Sequence, residues 1–314
     1  MRKAQTFLTI SGLVVAAALG IAGLAGADDA LREINTRVNT LHVSGAPQAE
    51  PLARQAVKIA ERRFGDGAIE TAEPMNNLAV IYLAQRRYAE AKPLFERALV
   101  VYERWHGPDH LETAAALESL ATLHAYQEQY AVAGPLYERC LAIREKQLDP
   151  GHPLLIQSIN EVAVAHASLG RFAEAEQCYR RSLAIAEKAF GPDHPDVAVG
   201  YSYLGTLYSN QGRLPEAEPL YERALAIFDR GGARDHPAAI ECAVTLARVS
   251  FGLGHYDRAE VLCQRNVAAH ERSFGPEHPA TAESLGALAE VHRRQGRFAE
   301  AEPILKSLLS RICG

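Results

Sequence analysis

The sequence predicts an all-α fold, a solenoid of stacked antiparallel helix pairs. Three observations carry that reading. One period of 42 residues runs through the chain: His110, His152, His194, His236 and His278 are spaced by it, and so are Ala49, Ala91, Ala133, Ala175, Ala217, Ala259 and Ala301. Within a period, apolar residues recur at helical spacing, as in Leu204, Leu207 and Tyr208, then Ala217, Leu220, Tyr221, Ala224, Leu225 and Phe228. A turn such as Gln211-Gly212-Arg213 separates the two stripes. Such a pair covers only one side of each helix, so the next pair must cover the other.

The elements follow in chain order. Residues 1–27 read as an export signal. Met1-Arg2-Lys3 is basic, residues 7–24 are apolar and uncharged, and Ala25-Gly26-Ala27 is a small-residue cleavage site. The expected location is the periplasm or cell envelope, or secretion. Residues 7–24 are also near the lower length limit for a membrane span. The alternative is therefore an uncleaved anchor, the one way in which a membrane enters. Residues 28–68 form a degenerate N-terminal repeat or cap, with an amphipathic stripe of Leu31, Ile34, Val38 and Leu41. Residues 69–314 hold six repeats, the last without a capping helix.

Within each repeat, Ala79, Ala121, Ala163, Gly205, Ala247 or Ala289 lets the second helix approach the first. The loop Phe190-Gly191-Pro192-Asp193-His194-Pro195 supplies an apolar anchor, a helix stop, Asp193 as cap and a proline for the first turn. At the anchor position His106 departs, and Trp105 is expected to supply the missing contact. Gly231-Gly232-Ala233 loses the anchor and one helical residue, which predicts a hinge or looser interface.

The small-residue and aromatic spacing resembles the tetratricopeptide repeat. The 42-residue length, with GRFAEAE and FGPDHP, resembles the kinesin light chain-like variant. The resemblance covers residues 69–314 strongly and 47–68 in part. It implies a right-handed superhelix whose concave groove is built from the first helix of each pair and takes an extended peptide. Carried over position by position, the groove has five columns. The first holds Glu73, Gln157, Glu241 and Glu283, and the second Asn76, Glu118, Asn160 and Ser202. The third holds Val80, Thr122, Val164, Thr206, Arg248 and Glu290. Leu83, Phe251 and Arg293 belong to the fourth, and Tyr126, Asn210 and Arg294 to the fifth. Relatives use Asn in the second column to grip a peptide backbone; Asn76 and Asn160 match, while Glu118, Ser202, Val244 and Gly286 do not. In this register the stripe from Leu31 to Leu41 takes groove positions, so the first helix is rotated or acts as a cap.

Composition sets the outer bounds. With 48% hydrophobic and 23% charged residues, general disorder is excluded. A net charge of −5 argues against nucleic acid as a partner. Five cysteines without a CxxC imply neither a disulfide framework nor a zinc ribbon. Cys140, Cys178, Cys242 and Cys263 read as core fillers, with a Cys242–Cys263 bridge as the minor alternative and Cys313 as the reactive thiol. The five histidines read as loop structure, because stacked helices set equivalent positions roughly 8–10 Å apart and no third ligand converges. No metal or other cofactor is expected. There is no GxSxG, phosphate loop, HExxH or GxGxxG, and charged pairs such as Glu216/Glu218 read as a solvated face, so no enzyme is expected.

The function expected is a non-enzymatic scaffold that binds a peptide or protein partner. The alternative is self-assembly, a homodimer joined through Leu308 and Ile312 of the last helix.

Overall fold

The computed structural model describes residues 29–313, with side chains described from 31 to 309. Residues 1–27, read from sequence as an export signal, and the side chains of Ile312 and Cys313 lie outside the described residues. Among these residues there are fourteen helices and no strand. They are α1 (Asp29–Val43), α2 (Ala49–Phe64), α3 (Ile69–Ala84), α4 (Tyr88–His106), α5 (Leu111–Tyr126), α6 (Tyr130–Gln147) and α7 (Pro153–Ser168). Then follow α8 (Phe172–Phe190), α9 (Pro195–Asn210), α10 (Leu214–Arg230), α11 (Pro237–Gly252), α12 (Tyr256–Phe274), α13 (Pro279–Arg294) and α14 (Phe298–Cys313). No described helix is long and apolar enough to cross a membrane. The described residues form two compact units, one up to residue 174 and one from residue 175. Helices α1 to α7 pack in chain order in the first, and α9 to α14 in the second. Each unit is thus a row of antiparallel helix pairs of the solenoid type.

Small residues set the crossings within pairs. Ala79, Ala121 and Ala163 of the first unit are fully buried, as are Ala91 and Ala133 from the facing helices. In the second unit Gly205 lies under the Tyr221 ring, so close that a Cβ there would sit 3.0 Å from it. Helix α1 turns Leu31 and Val38 inward: Leu31 clusters with Ala56 and Ala60 of α2, and Val38 joins Met75 and Ala79 of α3. Leu31 is buried although its register equivalent, Glu73, is exposed.

The loop histidines cap the helices that follow them. His110, His152, His194, His236 and His278 each accept a hydrogen bond at Nδ1 from the backbone N–H two residues on, at 3.2–3.5 Å. Each leaves one unpaired helix-end donor satisfied. The sequence expectation gave the cap to Asp193, and this is corrected. Pro195 fills the first helical position, so the cap falls on His194, and Asp193 lies one residue too early. Asp193 instead receives Arg230 Nη2 at 2.6 Å from the end of α10. The anchor residue stacks on the cap: Phe190 on His194 at 4.7 Å, and Phe274 on His278 at 4.6 Å.

Two anchors expected to be missing are present. His106 stacks on His110 at 4.6 Å, while Trp105 is 55% exposed and donates Nε1–H to the Gly67 carbonyl at 3.0 Å. Imidazole is flat enough to replace phenyl in the stack. In the Gly231 loop, Phe228, fully buried, stacks on His236 at 5.9 Å.

The charges read as a local solvated face pair between repeats. Arg97 reaches Glu61 at 2.7 Å, Arg139 reaches Glu103 at 2.7 Å, and Arg265 reaches Asp229 at 2.8 Å. Each partner lies on the previous second helix. Glu216 stays on the surface with Arg213, but Glu218 is only 8% exposed. Ser250 at 2.7 Å and His255 at 3.1 Å bond its carboxylate, and Arg258 lies at 3.7 Å. Burial pushes the Glu218 carboxyl up, but these hydrogen bonds and charges outweigh it and leave it below its ordinary value.

Cys140, Cys242 and Cys263 are buried and Cys178 is half-buried, and none of the four forms a disulfide. The Cys242–Cys263 bridge is not formed: Cys242 turns its Sγ toward the Tyr221 carbonyl of α10, 3.5 Å away. Burial pushes the Cys242 thiol up to about 12. On α14, Leu308 is half-buried beside Gly286, and Phe298, Leu305 and Leu309 are exposed.

Candidate functional site

The residues assigned to the groove sit on the first helices of the pairs. These are α3, α5 and α7 in the first unit and α9, α11 and α13 in the second. Helical spacing of three and four residues keeps each set on one face.

In the first unit Glu73 is exposed, and Asn76, Val80, Tyr126, Asn160 and Val164 are half-buried. Leu83 is 6% exposed and belongs to the core. Asn76 Oδ1 and Asn160 Oδ1 are covered by the chain yet receive no hydrogen bond. Both are amide acceptors left open, which is uncommon for covered polar atoms. Thr122 Oγ1 lies 3.0 Å from Tyr137 Oη, so its hydroxyl is already used.

Glu118 and Gln157 face inward. Glu118 Oε2 receives Arg144 Nη2 at 2.5 Å, and Gln157 Nε2 donates to Glu118 Oε1. Gln157 Nε2 also donates to Glu161 Oε1 at 3.0 Å, and Arg144 Nη1 donates to Ser158 Oγ at 2.6 Å. Arg144, 1% exposed, heads the fully buried side chains of the described residues. Arg144 and Glu161 were not among the residues singled out from sequence. The available signal was a coordinated departure from the repeat at positions 118, 144 and 161.

The second unit presents different chemistry. Ser202 is buried and donates to the Ala198 carbonyl at 3.0 Å. Thr206 Oγ1 lies 2.8 Å from Tyr221 Oη and donates to the Ser202 carbonyl at 2.9 Å. Asn210, Arg248 and Glu283 are exposed, and Glu241 and Phe251 are half-buried. Arg248 forms no ion pair among the described residues. Arg293 and Arg294 share the Glu290 carboxylate, at 2.7 and 2.9 Å. Hydrogen bonds from Arg293 and Arg294 hold that carboxyl at about 2. The Arg294 guanidinium lies 5.5 Å from the centre of the Phe251 ring, a cation–π distance. The unit therefore gathers three guanidinium groups and one aromatic ring near the C-terminal ends of α11 and α13, with one carboxylate among them.

No described group of three or more His, Cys, Asp or Glu could hold a metal ion. The arrangement offers hydrogen-bonding and charged surface.

Comparison with known proteins agrees with this geometry. The tetratricopeptide repeat family profile matches residues 41–104, 70–146, 113–188, 154–230, 196–262 and 239–311. No curated protein matches the chain. Among solved structures, a Podosopora anserina protein described as a kinesin light chain with nearly identical TPR-like repeats is 27% identical. The match covers 65% of this chain and 95% of that one, with a TM-score of 0.56. BtubC (BKLC) from P. vanneervenii is 20% identical over 73% of this chain and 91% of its own, with a TM-score of 0.60. A Rap protein complexed with competence and sporulation factor is 16% identical over 90% and 84%, with a TM-score of 0.58.

Proposed function

Because the chain belongs to the tetratricopeptide repeat family, a fold of interaction scaffolds, we propose that it binds an extended peptide segment of a partner protein along the faces of its first helices. One observation carries this reading: the face of α11 holds an exposed cation, Arg248, that no described residue pairs in an ion pair. Acidic side chains suit Arg248, Arg293 and Arg294, since guanidinium pairs with carboxylate in two parallel hydrogen bonds. The Rap neighbour, of the same fold, is complexed with a factor. Binding is docking without a covalent step.

Residues 1–27 make export part of this proposal, so the partner belongs to the cell envelope or beyond. The test is cross-linked capture from a native envelope extract with residues 28–314, followed by mass spectrometry. The variant Arg248→Glu with Arg293→Glu is run beside it. Loss of one partner class in the variant supports the reading, and unchanged capture overturns it. N-terminal sequencing of the protein recovered from cells decides cleavage after Ala27.

Self-association is favoured by a separate observation, the exposure of Leu305 and Leu309 on α14. Light scattering of the protein and of Leu309→Glu decides it. A monomer at high concentration in both removes this reading.

A further inference from the structure

At the position of Glu118 the other repeats place Asn, Ser, Val or Gly, and at that of Glu161 they place Asn, Ser, Tyr, Thr or Ala. At the position of Arg144 the preceding second helices and the following ones place Ala, Tyr, Phe, His or Ile. Three exceptions on α5, α6 and α7 thus converge in one buried cluster. It contains two carboxyl groups and one guanidinium.

The hydrogen bonds divide these unequally. Arg144 gives one bond to Glu118 and one to Ser158, and none to Glu161. Gln157 bridges the Oε1 atoms of both acids. Glu161 Oε2 is covered and receives no donor, and the residue is 8% exposed. An ionised Glu161 would set a second negative charge beside Glu118 without a counter-ion of its own, where water cannot solvate it. A proton on Glu161 removes that charge and turns an orphan acceptor into a donor toward the Glu118 carboxylate.

We propose that Glu118 and Glu161 hold one proton between them at neutral pH, fastening α5 to α7, and that its release at alkaline pH loosens the first unit. The charged and titratable groups facing the pair are few. Helix α5 brings Glu118; α6 brings Tyr137, Cys140 and Arg144; α7 adds no further charge, only Gln157 and Ser158. Burial first, and the neighbouring Glu118 charge second, push the Glu161 carboxyl well above the ordinary glutamate range, and Arg144 opposes them only in part. The proton is held more tightly in the folded chain than in the unfolded one. The pair's contribution is therefore complete below the ordinary glutamate value of about 4.3 and is lost as pH rises through the folded value. The proposal stands on the cluster alone and not on the peptide-binding reading.

Infrared spectroscopy of the full chain tests it. Desolvation also pushes the Glu73 carboxyl up, so the spectra are taken in a Glu73→Gln background, where a protonated-carboxyl C=O band at neutral pH reports this pair. The band is expected in this background and absent once Glu161→Gln is added, whose amide mimics the neutral acid. Melting temperature is then followed from neutral to alkaline pH. The native protein is expected to fall relative to Glu161→Gln, which lacks the titrating group. Absence of the band in the Glu73→Gln background overturns the proposal, as does its survival when Glu161→Gln is added. Should that variant fail to fold, Glu118→Gln leaves Glu161 as the counter-ion of Arg144, and the band is again expected to vanish. A band that persists there overturns the proposal too.

Discussion

Glu118, Arg144, Ser158 and Glu161 of the first unit occupy the same register as Ser202, Phe228, Cys242 and Thr245 of the second, 84 residues on. All eight are buried, from 0% to 9% exposed. In the first unit the space is filled by a guanidinium, two carboxyl groups and a hydroxyl in a hydrogen-bonded set. In the second it is filled by a phenyl ring, a thiol and two small hydroxyl groups, with Phe228 stacked on the capping His236. The repeat backbone thus accepts either chemistry at one place, provided the volume is filled and the polar atoms are paired. The two solutions differ in how they fail. An apolar cluster loses packing when a side chain is truncated, whereas an ionic one leaves a buried charge without a partner.

The largest expected effect is on the ionic side. Arg144→Ala strands the Glu118 carboxylate next to Glu161 and is expected to lower stability by about 3–5 kcal/mol, the usual result of breaking a buried pair. Urea denaturation followed by circular dichroism measures it. A loss below about 1 kcal/mol would mean that water enters the cluster and that the two sites are not comparable. The sharper test transplants one solution onto the other. The triple variant Glu118→Ser, Arg144→Phe, Glu161→Thr imports the second unit's residues. Apolar replacement of a buried ion pair commonly leaves stability unchanged or raises it by about 1–4 kcal/mol. A variant less stable than Arg144→Ala would show that the cluster orders the unit beyond its charge balance.

Much of this architecture was legible in the sequence, and the reason is repetition. Ala79, Ala121 and Ala163 announce the close crossings because a wrong residue at one of them would stand out against its copies. The same logic predicts two helices and an intervening turn in each of the six repeats of residues 69–314. What repetition cannot convey is the partner of an exception. Arg144, Glu118 and Glu161 lie 26 and 17 residues apart in sequence, and each alone looks like an ordinary surface charge. Only the packing of α5, α6 and α7 brings them together. The cap was misread for another reason. Asp is the usual helix-capping residue, and imidazole is a cap only because Pro195 shifts the helix start and Phe190 supports the ring.

A smaller difference between the units lies at the crossings. Gly205 takes the place that Ala163 holds in the first unit, and its hydrogen faces the Tyr221 ring. Gly205→Ala is expected to overpack the pair, costing about 1–3 kcal/mol by thermal denaturation, because the ring atoms 3.0 Å away belong to a rigid, buried side chain. Ala163→Gly, which opens no clash, is expected to cost about 0.5–1 kcal/mol through backbone entropy. Equal losses would remove the distinction. The caps are expected to act at a similar scale: His194→Ala should cost about 1 kcal/mol, with Asn at the same position recovering most of it.

The smallest effect expected is local and concerns two loops of the second unit. After α8 the chain runs from Phe190, stacked on His194, through a single glycine, Gly191, to the next helix. After α10 the helix ends at Arg230, two register positions earlier, and Gly231-Gly232 intervenes. The end is closed by Gly231 N–H to the Ile227 carbonyl at 2.9 Å and by Ala233 N–H to the Phe228 carbonyl at 2.9 Å. Gly232 takes a positive φ of 67°. Phe228 retains an aromatic contact with the cap, but at 5.9 Å against 4.7 Å, and two glycines widen the unfolded ensemble that the loop must escape. Amides of residues 226–240 are therefore expected to exchange faster than those of residues 184–198, while the buried Phe228 keeps the difference below that of global unfolding. Equal protection would show that the aromatic stack alone fixes the interface, and that the glycine pair confers no hinge.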